Sequence, residues 1–469
     1  MALCLANRSM ATQGNAFLIR STTGSSKEDD LVLIRRTRGW LALLVLSLFL
    51  SLSLQAQSNG FKTTFVPLRT NANGVLYEPV TADARTAIGI VYTHFSGNNL
   101  SHPSGRELAS RGYRVFLLNH YSNWIGFEGI TPQIAEAVDY VRKLPGIRKV
   151  VLLGHSGGGP LMTLYQNLAE NGPKVCNGPE KFYPCQGKLD GLPKADGLVL
   201  LDSHLGTGFQ QLTYTDPANR TEIWSTDRDP FLDMFLPKNG FDPERRIGIY
   251  SGEFTRKFFA AQAARNEQVI AYARWRLSEI VKRKGKFSDD EPLVVPASQN
   301  ARLLQADPRI VSHTHFPHPL LKADGTKPTQ IVPSVRPSLV TGRSAVGELR
   351  SAQVTTVRGF LAEHALRTTK EYNMTEDSIT GIDWSSSSSS AVANIEGISV
   401  PTLIMAMSCH YFLVPDEMIF DHAAAKDKQY VLVEGASHTF TPCRQEYGDT
   451  EKRLFDYIAS WLSSDGRLR

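Results

Sequence analysis

The chain has 469 residues, of which 42% are hydrophobic and 21% charged, a composition typical of a globular protein. Its formal net charge at pH 7 is +5, and removal of residues 1–56, which hold six basic and three acidic residues, leaves +2. A charge this close to neutral gives no electrostatic basis for binding nucleic acid or anionic lipid.

The N-terminal segment has the features of an export signal. Residues 40–54 carry no charge, are almost wholly apolar, follow three arginines between positions 35 and 38, and end just before Ala56. Because these 15 residues are fewer than the roughly 20 that span a bilayer, we expect residues 1–56 to be an N-terminal extension and signal peptide, cleaved near Ala56. The protein is then periplasmic or secreted, and an uncleaved membrane anchor is the alternative.

Residues 57–202 alternate between apolar, strand-like runs and helix-like segments. Strands are predicted over residues 61–66, 75–80, 86–93, 115–119, 149–153 and 197–202. Helices are predicted over residues 105–111, 130–144 and 161–169. Strands that alternate with helices at this spacing indicate a parallel sheet with right-handed crossovers, and the hairpin formed by the first two strands indicates an antiparallel edge.

Residues 150–160 read Val-Val-Leu-Leu-Gly-His-Ser-Gly-Gly-Gly-Pro and carry the clearest motif of the chain. An apolar strand stops at Gly154, Ser156 follows at the apex of a sharp turn, and a helix begins soon after it. We expect Ser156 to have a strained backbone conformation, and Gly154 and Gly158 to be required because a Cβ there would collide with the neighbouring strand or helix. This Gly-x-Ser-x-Gly turn resembles the nucleophile elbow of the α/β-hydrolase superfamily.

The resemblance implies an α/β-hydrolase fold, with a mostly parallel central sheet flanked by helices and an inserted, mainly helical cap. The core is expected in two parts, residues 57–202 and 397–469. The second part resumes the alternation, with strands over 400–407 and 429–434 and helices over 416–425 and 448–462. Residues 203–396 are far too many for a loop and contain a long amphipathic helix over 253–282, so we assign them to the cap or lid. The run Ser385–Ser390 is expected to be a flexible tether.

A serine hydroxyl becomes an effective nucleophile when a base lies within hydrogen-bond reach and a carboxylate fixes the tautomer of that base. In α/β-hydrolases the base is a histidine in the loop after the last strand. The segment Gly-Ala-Ser-His-Thr-Phe at 435–440 occupies that place. The resemblance therefore implies His438 as the base that serves Ser156.

The acid departs from the usual pattern of the superfamily. It commonly follows the strand that corresponds to residues 401–407, but this chain reads Met-Ser-Cys-His-Tyr at 407–411 and has no carboxylate before Asp416. Dehalogenase-like members and some lipases carry the acid at the end of the strand after the elbow helix, where this chain has Asp202. We predict Asp202 as the acid, with Asp416 as the alternative. If Asp416 is not the acid, we expect it to be the N-cap of its helix.

An ester carbonyl that is attacked by serine develops negative charge, which two backbone N–H groups can stabilise. One is expected from Gly157, the residue after the nucleophile, at the positive end of the elbow helix. The other is expected from Phe95 or Ser96, because His-Phe-Ser-Gly at 94–97 occupies the place of the superfamily's His-Gly-x loop. The sequence leaves both of these residues as candidates.

The four cysteines that remain after signal cleavage agree with export. Cys176 and Cys185 flank a short loop rich in Gly and Pro, which suits a disulfide in an oxidising compartment. Cys409 follows one predicted strand and Cys443 the next, so a second disulfide would join two loops of the site. Two free, buried thiols are the alternative for this second pair.

Nothing in the predicted core requires a cofactor, and we predict none. A metal is not expected either, since His313, His315 and His318 lack a supporting Cys or carboxylate spacing. We predict an exported serine hydrolase that cleaves a small-molecule carboxylic ester through an acyl-enzyme. No nucleic-acid partner is expected, and a membrane is a partner only if the N-terminal segment stays uncleaved. The alternatives are an acyltransferase or thioesterase with the same triad, and a non-catalytic binding protein of this fold.

Overall fold

A computed structural model gives the structure of residues 60–95, 98–121, 126–219, 228–286, 289–296, 302–339, 352–464 and 466–468. The predicted signal region and Ser96 lie outside these ranges. Within them, no helix is both long enough and apolar enough to cross a membrane.

The strands and helices follow the predicted alternation closely in the two core segments. The strands are β1 (Phe61–Pro67), β2 (Asn73–Pro79), β3 (Ile88–Thr93), β4 (Arg114–Asn119), β5 (Lys149–His155), β6 (Gly197–Leu201), β7 (Phe241–Asp242), β8 (Ile247–Gly248), β9 (Pro292–Pro296), β10 (His318–Leu321), β11 (Thr329–Gln330), β12 (Ala352–Thr356), β13 (Arg367–Met374), β14 (Ile379–Asp383), β15 (Thr402–Met407) and β16 (Lys428–Val433). The helices are α1 (Pro103–Ser110), α2 (Gly126–Arg142), α3 (Gly158–Asn171), α4 (Thr207–Tyr214), α5 (Gly252–Val281), α6 (Leu303–Ala306), α7 (Val357–Gly359), α8 (Ala391–Ile395), α9 (Leu413–His422) and α10 (Thr450–Ser463).

The side chains of β5 show how the sheet is buried on both faces. Val150 and Leu152 belong to one apolar cluster, while Val151 and Leu153 belong to another. The first cluster includes residues of α2, α3, α8 and α9, and the second includes residues of α1 and α10. Because successive side chains of a strand point to opposite faces, an unbroken apolar run suits a strand that helices cover on both sides.

Ten of the described strands form one sheet, in the order β1-β2-β4-β3-β5-β6-β15-β16-β10-β11. The strand β2 runs antiparallel to both β1 and β4. The strands from β4 through β16 to β10 run parallel to their neighbours, and β11 is antiparallel to β10. This strand order, with the Ser156 turn directly after β5, is that of the α/β-hydrolase fold. The predicted fold class and the antiparallel edge are confirmed.

Residues 203–396 contain the predicted long helix, α5, and the small antiparallel pairs β7–β8, β9–β12 and β13–β14. Part of this segment extends the central sheet, because β10 lies parallel to β16 with Leu320 opposite Leu432. The sequence did not reveal this extension, since β10 and β11 are only four and two residues long. The assignment of the other elements of this segment to a cap stays a prediction.

The run Ser385–Ser390 is not a flexible tether, and that prediction is wrong. Its last five residues are at most 6% exposed. Ser389 Oγ donates a hydrogen bond to the carbonyl oxygen of Glu363, and Ser390 is the N-cap of α8. Serine side chains are short enough to enter a closely packed region and to pair its backbone polar groups, which apolar side chains would leave unpaired.

Disulfides join Cys176 to Cys185 and Cys409 to Cys443. These are the two pairs expected from the sequence. The second disulfide connects the segment after β15 to the segment after β16. Disulfides of this kind persist in oxidising environments such as the cell exterior.

Replacing Cys409 and Cys443 together by serine should lower the free energy of unfolding more than the same replacement of Cys176 and Cys185. The two disulfides close loops with separations of 34 and 9 residues, respectively. The longer loop removes more conformational entropy from the unfolded chain, so its disulfide should contribute about 1 kcal/mol more to the free energy of unfolding. Urea unfolding of the two double variants beside the wild type measures the difference. Equal losses would contradict the entropic explanation.

Candidate active site

Ser156 lies at a sharp turn between β5, which ends at His155, and α3, which begins at Gly158. Its φ is 54°, in the left-handed region that a non-glycine residue occupies only under strain. A Cβ on Gly154 would lie 2.5 Å from the carbonyl oxygen of Gly158, and a Cβ on Gly158 would lie 2.4 Å from that of Thr93. The predicted strain at Ser156 and the predicted need for both glycines are confirmed.

His438 approaches Ser156 from the loop that follows β16. Its Nε2 lies 3.0 Å from Ser156 Oγ, and its Nδ1 lies 2.5 Å from Asp202 Oδ2. Because the carboxylate can only accept, His438 Nδ1 carries the ring proton and Nε2 is left to accept the proton of the serine hydroxyl. The His438 side chain is 32% exposed, so its imidazole is accessible from solvent.

Asp202 follows the last residue of β6, has a φ of 44° and is fully buried. Its Oδ1 accepts the N–H of Met407 at 3.2 Å, while Oδ2 faces His438. Burial alone raises the pKa of Asp202, but the imidazoles of His410 and His438 outweigh it and hold the pKa below its usual range. Asp202 must stay ionised in order to fix the tautomer of His438.

Asp416 is also fully buried, but it makes no hydrogen bond to His438 within the described residues. Both of its carboxylate oxygens face the N–H of Ser203, at 2.9 and 3.2 Å. Burial, followed by the charge of the neighbouring carboxylate, raises the pKa of Asp416 well above its usual range. The N-cap prediction is wrong because α9 begins at Leu413. The helix can start there because Pro415 falls in the first turn, where no backbone N–H is needed.

The structure adds a residue that the sequence reasoning did not assign. His410 follows β15, at the usual place of the acid, and its Nδ1 lies 2.7 Å from Asp202 Oδ2. Its ring stacks on that of His438 with the centroids 4.4 Å apart. Burial lowers the pKa of His410 to about 4 in spite of the nearby carboxylate. The sequence indicated the importance of this position only by having a histidine where the superfamily commonly carries the acid.

The N–H of Gly157 points to the loop after β3 and has an acceptor there. His94 Nε2 accepts this hydrogen bond at 3.2 Å. The ring of Phe95 also packs against the same residue, since a Cβ on Gly157 would lie 1.8 Å from its Cε1 atom. Ser96 lies outside the described residues, so the loop donor to an oxyanion stays a prediction.

Two partly buried histidines support His438 from the side of β5. His155 Nε2 donates to the backbone carbonyl of His438 at 2.9 Å, which leaves His155 Nδ1 to accept from His102 Nε2 at 3.3 Å. His102 Nδ1 then accepts the N–H of Ser104 at the start of α1. Burial lowers the pKa of both rings, that of His102 to about 3. Both rings are therefore neutral, with tautomers assigned by this hydrogen-bond pattern.

The side chains of His313, His315 and His318 do not converge on one metal-binding position. Their partners are a backbone carbonyl for His313, the carboxylate of Asp377 for His315 and the carboxylate of Glu417 for His318. Among the described residues, Asp202, His410 and His438 form the one group of three or more such side chains whose ligand atoms all lie within 4.8 Å of one another.

No family model and no curated protein matches the sequence. The solved structures that it resembles include a hormone-sensitive lipase from a metagenome library, with 13% identity, a TM-score of 0.38, and coverage of 91% of this chain and 97% of that chain. Brefeldin A esterase, described as a bacterial homologue of human hormone-sensitive lipase, has 13% identity, a TM-score of 0.36, and coverage of 87% and 78%. Est1E from Butyrivibrio proteoclasticus has 11% identity, a TM-score of 0.36, and coverage of 85% and 97%. Likenesses at this level say nothing about the reaction of this chain.

Asp202→Asn should slow the reaction of Ser156 with a fluorophosphonate by roughly 10⁴-fold, because an amide there imposes the wrong tautomer on His438. Asp416→Asn is the matched control and should leave the rate close to that of the wild type. A neutral carboxyl group and an amide both accept the hydrogen bond of Ser203. Intact-protein mass spectrometry at pH 7 measures both rates. A large loss in the Asp416 variant alone would assign the acid to Asp416.

Proposed function

We propose that this protein, whose fold is that of the α/β-hydrolases, is a serine hydrolase that cleaves a carboxylic ester. Ser156 is the nucleophile, His438 the general base, and Asp202 the acid that orients the base. The main support is one observation, the continuous hydrogen-bonded series from Asp202 Oδ2 through His438 to Ser156 Oγ, with separations of 2.5 and 3.0 Å.

In the first half of the reaction, Ser156 Oγ attacks the carbonyl carbon of the ester while His438 Nε2 takes the hydroxyl proton. The imidazolium that forms is stabilised by the ionised carboxylate of Asp202. The carbon–oxygen bond to the alcohol then breaks, and His438 returns its proton to the departing alkoxide oxygen. The acyl group stays on Ser156 Oγ as an ester.

In the second half, a water molecule takes the place of the alcohol. His438 Nε2 removes a proton from the water as its oxygen attacks the acyl carbon. The bond to Ser156 Oγ breaks and the serine recovers its proton from His438. The carboxylic acid leaves, and the enzyme returns to its starting state.

The charge that develops on the carbonyl oxygen would be stabilised by the N–H of Gly157, at the N-terminus of α3. In the structure that N–H donates to His94 Nε2. The carbonyl oxygen must therefore replace the imidazole as the acceptor when substrate binds. Phe95 or Ser96 is proposed as the second donor.

Serine as the nucleophile distinguishes this chain from dehalogenases and epoxide hydrolases, which use a carboxylate that forms an alkyl ester. The proposal of a non-catalytic protein depended on the missing carboxylate at the usual place. The contact between Asp202 and His438 weighs against it. Acyl transfer and thioester cleavage pass through the same acyl-enzyme, and no contact among the described residues favours them over ester hydrolysis.

We also propose that the protein is exported. The two disulfides of the described residues support an oxidising environment. The proposed signal peptide lies outside the residues that the structure describes.

Ser156→Ala should abolish both the fluorophosphonate labelling and the hydrolysis of chromogenic short- to medium-chain esters. Ser203→Ala is the control, because it removes a different serine hydroxyl of the same region, one that is buried and makes no hydrogen bond within the described residues. Ester turnover and the site of the label are measured for both variants. Turnover by Ser156→Ala equal to that of the wild type would refute the proposed nucleophile.

The value of kcat/KM should fall on the acid side as one proton binds, giving a slope of about one in a logarithmic plot against pH. A general base that already holds a proton can no longer accept the proton of Ser156. Asp202 stays ionised over about pH 5 to 8 because its pKa is held low. Burial lowers the pKa of four further histidines near the site, which therefore stay neutral: His102, His155, His204 and His410. A slope near two would show that a second group titrates with His438.

A further inference from the structure

His410 is a buried imidazole that the proposed reaction does not use. Its Nδ1 lies 2.7 Å from Asp202 Oδ2, the oxygen that also accepts from His438 Nδ1 at 2.5 Å. A nitrogen lone pair would repel the carboxylate at this distance, so the ring proton of His410 is on Nδ1. The contact is short but not well aligned as a hydrogen bond, which makes its attraction mainly electrostatic.

Backbone and ring contacts fix His410 in this position. Its N–H donates to the carbonyl oxygen of Met407 at 3.0 Å, and its own carbonyl accepts from Ser334 Oγ at 2.9 Å. The ring of Phe412 meets it edge-on, with the centroids 4.6 Å apart. The preceding residue, Cys409, is held by its disulfide. These contacts keep the imidazole directed at the carboxylate.

The charged and titratable groups that face the ring are Asp202, His438, Arg336 and Tyr411. Burial disfavours a cationic His410, as do the charge of Arg336 and any positive charge that forms on His438, and together these effects outweigh the attraction of Asp202. His410 therefore offers the carboxylate a polarised N–H group without a full positive charge. A cation at this place would oppose the imidazolium that forms on His438 during the reaction.

We propose that His410 is a positioning residue for the reaction proposed above. Its Nδ1–H restrains Asp202 Oδ2 next to His438 and takes up part of the charge of that oxygen. The inference depends on the proposed function for its effect on rate, but the contact with Asp202 can be tested separately.

Loss of this N–H has two expected effects. Asp202 keeps the N–H of Met407 and the ring of His438, but its Oδ2 is less restrained, so the productive geometry is less populated and the reaction slows. The negative charge of Oδ2 then acts on His438 alone. The imidazolium form of His438 is better stabilised, and the acid limb of the rate profile moves to higher pH.

Three variants separate these effects from a general loss of structure. His410→Phe removes the donor at similar size, and His410→Leu serves the same purpose if the Phe variant does not fold. His410→Asn is the matched control, because its amide nitrogen lies near the position of Nδ1 and keeps a donor there. The rate of fluorophosphonate labelling at Ser156 is measured against pH for each variant.

We expect His410→Phe to slow labelling by about tenfold, since the electrostatic attraction between the Nδ1–H group and the charged oxygen is lost. Its acid limb should move upward by about half to one pH unit. His410→Asn should recover most of the rate and the position of the limb. A slower rate with an unmoved acid limb, and no recovery in His410→Asn, would overturn the proposal and leave His410 as a packing residue.

Proton NMR of the hydrogen-bonded imidazole N–H groups tests the contact without using activity. In His410→Phe the resonance of His438 Nδ1–H, which is hydrogen-bonded to Asp202 Oδ2, should shift, whereas an unchanged His438 resonance would overturn the proposal. If the wild type is not labelled at Ser156 but the His438 resonance shifts in His410→Phe, the proposed hydrolase function is wrong and the restraint of Asp202 by His410 is supported.

Discussion

The buried negative charge of Asp202 is the constraint on which the site depends. A carboxylate removed from water is unfavourable unless it is paired and hydrogen-bonded. Asp202 directly follows β6, and its partners lie at or beyond the ends of the next two strands of the sheet: Met407 is the last residue of β15, His410 follows that strand, and His438 follows β16. Because the carboxyl ends of these parallel strands lie at one edge, the strand order brings the partners together. The geometry of the site is thus a consequence of the sheet.

The sheet also explains why the contact of Asp202 with His438 could be anticipated, although the superfamily usually carries its acid at another place. The strands β6 and β15 are hydrogen-bonded neighbours, so a carboxylate at the end of either strand can approach the same histidine. The elbow could be predicted because its requirements are local. Ser156 and its two flanking glycines are dictated by contacts within the turn and with β3. The prediction of His438 as the base required the resemblance to a known family, because no local property of its loop distinguishes this histidine from others.

Features that depend on distant contacts could not be predicted in this way. The run Ser385–Ser390 has no apolar periodicity, and its burial depends on the carbonyl of Glu363 and on the start of α8. The strand β10 is too short to stand out, and it is defined by its pairing with β16. The contact between His410 and Asp202 could not be predicted for the same reason, since the carboxylate lies more than 200 positions earlier in the chain.

Two buried carboxylates, Asp202 and Asp416, lie on either side of Ser203, and like charges this close disfavour the ionisation of both. Their partners decide which one carries the charge. Asp202 faces two imidazoles and a backbone N–H, whereas Asp416 receives the single N–H of Ser203. The charge therefore stays on Asp202, where it can act on His438.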